Sequence, residues 1–282
     1  MNKVAIVTDS TSYIPKEYLD QYPISVVPQV LIWGEQVYED GVDISPSEFY
    51  TRLKGAKIMP STSQVTPKSF HKVYSQLLEQ ECQVLAMLIS EKLSGTIASA
   101  VQAQEAFPEA PIEIVNTYST AMALGFQVLS VARAAKEGAS LVECKALAEK
   151  ARQHTGLVFA VDTLEYLHRG GRIGTASRFL GTALNIKPIL ELVDGRVEAV
   201  ERVRTRQKSL ERLLDLAEER IGDRQPVRLA TLHAQAPEEA QMLLDMGLKR
   251  FNTVENIFSE VSPVVGNHTG PGTVGIAFMA GM

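Results

Sequence analysis

The chain has 282 residues, of which 45% are hydrophobic, and carries a formal net charge of −5. That is enough apolar material for one large core or two ordinary ones, and the usual size of a domain favours two. The acidic balance, with an isoelectric point near 5.7, excludes the basic footprint of a nucleic-acid binder; no stretch approaches the ~18 apolar residues of a membrane span, and Cys82 and Cys144 form neither a CxxC pair nor a disulfide framework, which points to a reducing cytoplasm.

The first residues, Met1-Asn2-Lys3-Val4-Ala5-Ile6-Val7-Thr8-Asp9-Ser10, have an apolar run too short for a signal peptide and lead directly into a strand pattern at 4–8. Further buried-strand patterns follow at 84–89 and 112–115, alternating with helical patterns, which predicts an α/β layer on a mainly parallel sheet. Trp33 to Ser63, punctuated by Gly34, Gly41, Pro46, Gly55 and Pro60, reads as a long loop over an opening of that layer. Thr66-Pro67 is an N-cap followed by proline at the first helical position, and Phe70, Val73, Leu77 and Leu78 then line one face, so a helix is expected over 67–80.

Two longer helices are expected at 119–137, ending at Gly138, and at 140–153, where Ser140 and Glu143 have capping-box spacing. After these the pattern changes to a strand at 157–161, a helix at 176–184, and a hairpin of 189–193 with 197–203 turned by Asp194-Gly195 in type I′ geometry. A helix at 207–221, a strand at 227–231, a helix opening at Pro237 and strands at 254–258 and 274–278 complete the chain. The embedded hairpin predicts an α+β second half, with domains at 1–155 and 156–282.

Three small polar islands stand out: Ser61-Thr62-Ser63-Gln64, Ser94-Gly95-Thr96, and Gly266-Asn267-His268-Thr269-Gly270-Pro271-Gly272. Ser94-Gly95-Thr96 falls where a strand's carboxyl end meets a helix start, the place where open α/β sheets bind ligands and where free N–H groups and the helix dipole favour an anion. Ser94 as a plain N-cap is the bland alternative. The other islands weigh against it: the hydroxyls at 61–63 precede a helix already capped by Thr66, and His268 stands among glycines that admit close backbone approach.

A catalytic pair of Ser94 and His268, serving an esterase or acyltransferase, is the competing reading, but Ser94 is not in a GxSxG elbow and no acid is singled out to orient His268. Gly270-Pro271-Gly272-Thr273-Val274-Gly275 matches GxGxxG by letter and then runs into a strand, which excludes a dinucleotide site. The five histidines lack metal-ligand spacing. Paired glycines at 170 and 171 predict a tight turn that aims Arg172, and Arg202, Arg204 and Arg206 alternate so that on a strand they share one face, a candidate docking surface for an acidic or phosphorylated partner.

Six motifs in order, Val7-Thr8-Asp9-Ser10, Ser61-Thr62-Ser63-Gln64, Ser94-Gly95-Thr96, Arg169-Gly170-Gly171-Arg172-Ile173, Asn185-Ile186-Lys187-Pro188-Ile189 and His268-Thr269-Gly270-Pro271-Gly272, make the chain resemble the DegV family of bacterial fatty-acid-binding proteins over essentially its whole length. It departs at Asn116-Thr117, where the family often has Asp-Ser. The resemblance implies an N-terminal Rossmann-like domain and a C-terminal α+β domain, with one long-chain fatty acid such as palmitate held at their junction. It implies no catalytic residue, no metal and no cofactor besides that lipid. By matching motif, Thr62, Ser94, the Gly95 N–H and His268 would hold the carboxylate, with Arg172 and Ser61 as helpers. The family includes binding subunits of bacterial fatty acid kinase, so the implied partners are a separate ATP-binding kinase subunit, with acyl phosphate passing to phospholipid synthesis, and a transient contact with the membrane surface.

Overall fold

The computed structural model describes residues 3–181 and 186–282. The chain opens with β1 (Val4–Asp9), a 3₁₀ turn at Ser10–Ser12, α1 (Lys16–Leu19), β2 (Ile24–Val27), β3 (Val30–Trp33), β4 (Gln36–Glu39), α2 (Pro46–Leu53) and β5 (Ser61–Ser63). It continues through α3 (Pro67–Glu79), β6 (Gln83–Leu88), α4 (Thr96–Gln104), β7 (Ile112–Asn116), α5 (Ala121–Lys136) and α6 (Leu141–Ala151). The rest comprises β8 (Thr155–Ala160), α7 (Glu165–Arg169), a 3₁₀ helix at Gly174–Phe179, β9 (Lys187–Val193), β10 (Arg196–Val203), α8 (Arg206–Ile221), β11 (Val227–His233), α9 (Pro237–Arg250), β12 (Thr253–Glu260), α10 (Pro263–Thr269) and β13 (Val274–Ala280).

β1 and β6 are apolar runs buried along almost their full length, as a parallel sheet covered on both faces requires. They form the centre of a four-stranded parallel sheet of order β2-β1-β6-β7. The second sheet has six strands in the order β10-β9-β8-β13-β11-β12, antiparallel except for β11 and β12, which α9 joins as a right-length crossover. A small antiparallel sheet, β4-β3-β5, lies beside them.

α5 joins the two large sheets. It packs on β1 on one side and on β8 and β13 on the other, and 12 of its 16 residues are buried. A helix that is apolar nearly all round belongs in an interior, and Gly125 lets it come close, since a Cβ there would lie 2.6 Å from the Ser12 carbonyl oxygen. The largest apolar cluster therefore runs from Ile6 and Met87 through Leu124 and Val128 to Phe159 and Met279 without a break.

The α/β architecture, the Thr66-capped α3, the Ser140–Glu143 capping box of α6 and the Asp194-Gly195 turn agree with the sequence pattern. Three expectations need correction. The span from Trp33 to Ser63 is not a loop: it holds β4, α2 and β5, with α2 started by its own Ser45–Glu48 capping box and Pro46. The helix expected at 176–184 is a 3₁₀ helix at Gly174–Phe179, and its last residues, with Asn185 of the fifth motif, lie outside the described residues. His268 sits in α10, and the glycines around it do admit close approach, since a Cβ on Gly266, Gly270 or Gly272 would collide with Tyr50, Tyr166 or Asp162. Arg202, Arg204 and Arg206 do not share a strand face, because β10 ends at Val203 and Thr205 caps α8, making Arg206 its first residue. Among the described residues no helix is long and apolar enough to cross a membrane.

Candidate functional site

The carboxyl ends of the parallel strands open onto a cavity of about 930 Å³, counting the space at its opening. Ile89 and Leu93 reach it from the loop after β6, and Thr120 and Ala121 from the start of α5. Leu157, Phe159 and Leu232 line it from the six-stranded sheet, Leu192 and Val197 from the β9–β10 hairpin, and Val264 and Val265 from α10. Most of this wall is hydrocarbon.

The hydroxyls gather with Arg172 and His268. Thr62, fixed in β5 opposite Leu31 of β3, has its Oγ1 2.7 Å from Nε2 of His268. Ser94 Oγ is 2.9 Å from Thr96 Oγ1, and Gln29 Nε2 donates to the same Thr96 oxygen at 2.9 Å. Thr62, Ser94, Arg172 and His268 all line the cavity, together with Gln29, Ser63 and Gln64. Gly95 stands just behind Ser94 as the N-cap of α4, with Gln64 packed where a Cβ would be, and Ser61 is exposed on β5; neither is part of the cavity wall.

The imidazole of His268 is neutral. Burial, then the neighbouring Arg172 guanidinium, push its pKa down to about 4. Gly170 backs it so closely that a Cβ there would collide with Nδ1, and Nδ1 is buried without a hydrogen-bond partner among the described residues. An orphaned lone pair is easier to bury than an orphaned N–H, so we assign the proton to Nε2, which donates to Thr62 Oγ1. The Thr62 hydroxyl then keeps its own proton for an acceptor in the cavity.

Arg172 follows the predicted turn, with Gly171 at φ 70°, and two of its three nitrogens are engaged: Nε donates to the Leu93 carbonyl at 3.0 Å and Nη1 to the Gly170 carbonyl at 2.6 Å. It bridges the loop after β6 to the turn that supports His268, and supplies positive potential from behind. Two buried carboxylates brace the same region. Asp9 accepts from Ile89 N at 2.8 Å and from the Thr11 hydroxyl and amide, and Asp40 accepts from Ser10 Oγ at 2.7 Å and from Val264 N at the start of α10 at 3.1 Å. Burial raises the pKa of both above the ordinary carboxylate value.

Ser94 and His268 share no hydrogen bond; each is bonded to a threonine instead. Among the described residues no carboxylate bonds His268, and no three metal-ligating side chains cluster. At the family departure, Asn116 Oδ1 accepts from Tyr118 N and Thr117 Oγ1 donates to the Leu88 carbonyl, so these side chains shape the turn into α5. Arg202 stacks on Phe179, and Arg206 donates to the Gly272 carbonyl at 2.7 Å and lies near Asp162 and Glu239. Gln29 and Asp40 did not stand out in the sequence: Gln29 lies between two four-residue strands that carry no clear periodicity, and Asp40 in a stretch read as loop.

Comparisons with known proteins place the sequence and the fold in a family. The family model described as "Uncharacterised protein, DegV family" matches residues 3–281. A DegV domain-containing protein of Streptomyces coelicolor is 39% identical over 97% of both chains, and protein DegV of Bacillus subtilis is 32% identical over 98% of both. Among solved structures, a DegV family protein from Thermus thermophilus, described for its fatty acid binding, is 35% identical with a TM-score of 0.93 over 99% of both chains. The Bacillus subtilis DegV crystal structure, described as a fatty acid binding protein, is 30% identical with a TM-score of 0.89, covering 99% of this chain and all of that one. A stearic acid-binding protein from Eubacterium ventriosum is 25% identical with a TM-score of 0.91, covering all of this chain and 99% of that one. On the family match and these full-length relatives, the chain belongs to the DegV family.

Proposed function

We propose that the protein binds one long-chain fatty acid, with the acyl tail in the hydrocarbon-walled cavity and the carboxylate on Thr62 and Ser94, the Thr62 hydroxyl being held in place by His268. The observation that carries the reading is one continuous cavity lined by hydrocarbon and by the hydroxyls of Thr62 and Ser94. The relatives described as fatty acid binding support it. At about 0.8 kcal/mol per buried CH₂, a 16-carbon tail contributes roughly 10 kcal/mol of gross transfer free energy, so the tail dominates affinity and the polar groups set orientation.

The head-group chemistry favours a carrier that presents its ligand. A buried carboxylate needs hydrogen bonds, and neutral donors satisfy it while leaving the oxygen nucleophilic. Arg172 donates from Nε and Nη1 to backbone carbonyls, which fixes the guanidinium in place and leaves Nη2 to add a charge-assisted hydrogen bond to the head group. On this reading residues 1–155 and 156–282 are two domains meeting at the lipid, and the protein works in the cytoplasm with a separate fatty acid kinase subunit that phosphorylates the bound acid for phospholipid synthesis. Arg202 and Arg204, both exposed, are the basic side chains left for docking that subunit, and loading involves brief contact with the membrane surface.

Native mass spectrometry of freshly purified protein, followed by solvent extraction, tests the core of the proposal. One fatty acid per chain is expected; an empty protein that takes up no added fatty acid would overturn it. The serine hydrolase reading is disfavoured because Ser94 and His268 are each bonded to a threonine, and fluorophosphonate labelling of Ser94 would reinstate it.

A further inference from the structure

We propose that the N-terminus of α5 is a second polar station in the same cavity, which takes an oxygen carried on the acyl chain, as in a hydroxy fatty acid. This rests on the lipid-binding reading and names a substrate class for it.

Thr120 and Ala121 both line the cavity. Thr120 is the N-cap of α5, yet its side chain caps nothing. Its Oγ1 is buried without a hydrogen-bond partner among the described residues, and the residue is only 8% exposed. The first amides of a helix have no intrahelical acceptor, so the N–H groups at 121–123 accompany that hydroxyl, and a 16-residue helix adds the positive end of its dipole.

The backbone explains why the hydroxyl is not used internally. Ser45, Thr66, Ser140 and Thr205 precede their helices with ψ between 151° and 164°, and each accepts from the amide three residues on. Thr120 is instead fully extended, at φ −156° and ψ −179°, and Ala121 follows at φ 54°. A residue with a Cβ rarely adopts that left-handed conformation. A hydrocarbon tail would leave the hydroxyl and the amides beside it unpaired, whereas a chain-borne hydroxyl would pair with them.

The charge around the station selects a neutral oxygen over a second carboxylate. Thr11 lines the same cavity and donates to the buried carboxylate of Asp9 at 2.6 Å, and that carboxylate opposes another anion nearby.

The test compares the affinity of delipidated full-length protein for stearate and for a positional series of hydroxystearates. One positional isomer is expected to bind about tenfold tighter to wild type than to Thr120→Val, while stearate affinity changes by less than about twofold. Thr120→Ser, which keeps the hydroxyl, should retain the preference. The inference is overturned if every isomer loses affinity equally in wild type and Thr120→Val, or if Thr120→Val weakens stearate as much as the favoured isomer. Wild-type protein that binds neither stearate nor any hydroxystearate would overturn the lipid-binding reading itself, and this inference with it.

Discussion

At the scale of single residues, the pairing of Thr62 with His268 makes two separate predictions. If Nε2–H donates to Thr62, replacing Thr62 with valine removes one donor to the carboxylate but leaves the tail's contacts untouched. Thr62→Val is therefore expected to weaken fatty-acid binding about five- to tenfold, the worth of one hydrogen bond, and to lower the stability of the lipid-free protein by about 1 to 3 kcal/mol, because the Nε2–H of His268 loses its acceptor; calorimetry and urea unfolding measure the two. The second prediction concerns pH. His268 titrates at about 4 in the fold against 6.5 ordinarily, so between those values the unfolded chain takes up a proton that the folded chain refuses, and stability falls as pH drops. Asp9 and Asp40 act with the opposite sign: raised by burial, they favour the fold at low pH and lose that contribution as pH rises through their native values. Comparing wild type with His268→Gln isolates the histidine. From about pH 7.5 to about pH 4.5, wild type should lose roughly 2 to 3 kcal/mol more than the variant in urea unfolding; equal losses would mean the imidazole ionises in the fold as readily as in water.

At the scale of elements, the β9–β10 hairpin is the part of the cavity wall whose seating is most open to test. Ser90 Oγ donates to the Gly195 carbonyl at 2.9 Å, and a Cβ on Gly195, at φ 77°, would collide with that same oxygen. Gly138, at φ 97°, has open space where its Cβ would go. Gly138→Ala should cost about 1 kcal/mol for conformation alone, and Gly195→Ala about 2 to 3 kcal/mol. Gly195→Ala should also speed lipid release, because Leu192 and Val197 of the hairpin line the cavity. Equal destabilisation, or unchanged release, would show that the hairpin is not seated as described. The turn itself was legible from Asp194-Gly195, as α3, α5 and α6 were from caps and long periodic patterns. The short elements were not. β4 and β5 have four and three residues, α2 has eight and α10 seven, too few for a period to register, and distant partners hold them: Trp33 Nε1 donates to the Ile58 carbonyl, and Asp40 receives the Val264 amide across 224 positions. The site divides the same way. Thr62, Ser94, Arg172 and His268 sit in recognisable motifs, whereas Gln29 matters through Thr96, 67 positions away, a relation no local pattern carries.

At the scale of the whole molecule, the apolar core runs unbroken from the parallel sheet through α5 into the six-stranded sheet, and the cavity is bounded by both sheets together with the hairpin and α10. A ligand filling it touches walls that are distant in sequence, so emptying it removes contacts that tie one half to the other. Such a ligand binds the folded chain alone and stabilises it by mass action, by about 2.7 kcal/mol at 100 times its dissociation constant. For a chain of this length that corresponds to a rise in Tm of about 5 °C. Delipidated protein titrated with palmitate should show that rise. Hydrogen exchange should slow most at β9, β10 and α10, which close the cavity, and least at β6, whose side chains are packed in either case. A rise in Tm with protection spread evenly over the chain would place the lipid on the outer surface, and no rise at all would mean that the folded chain does not bind palmitate.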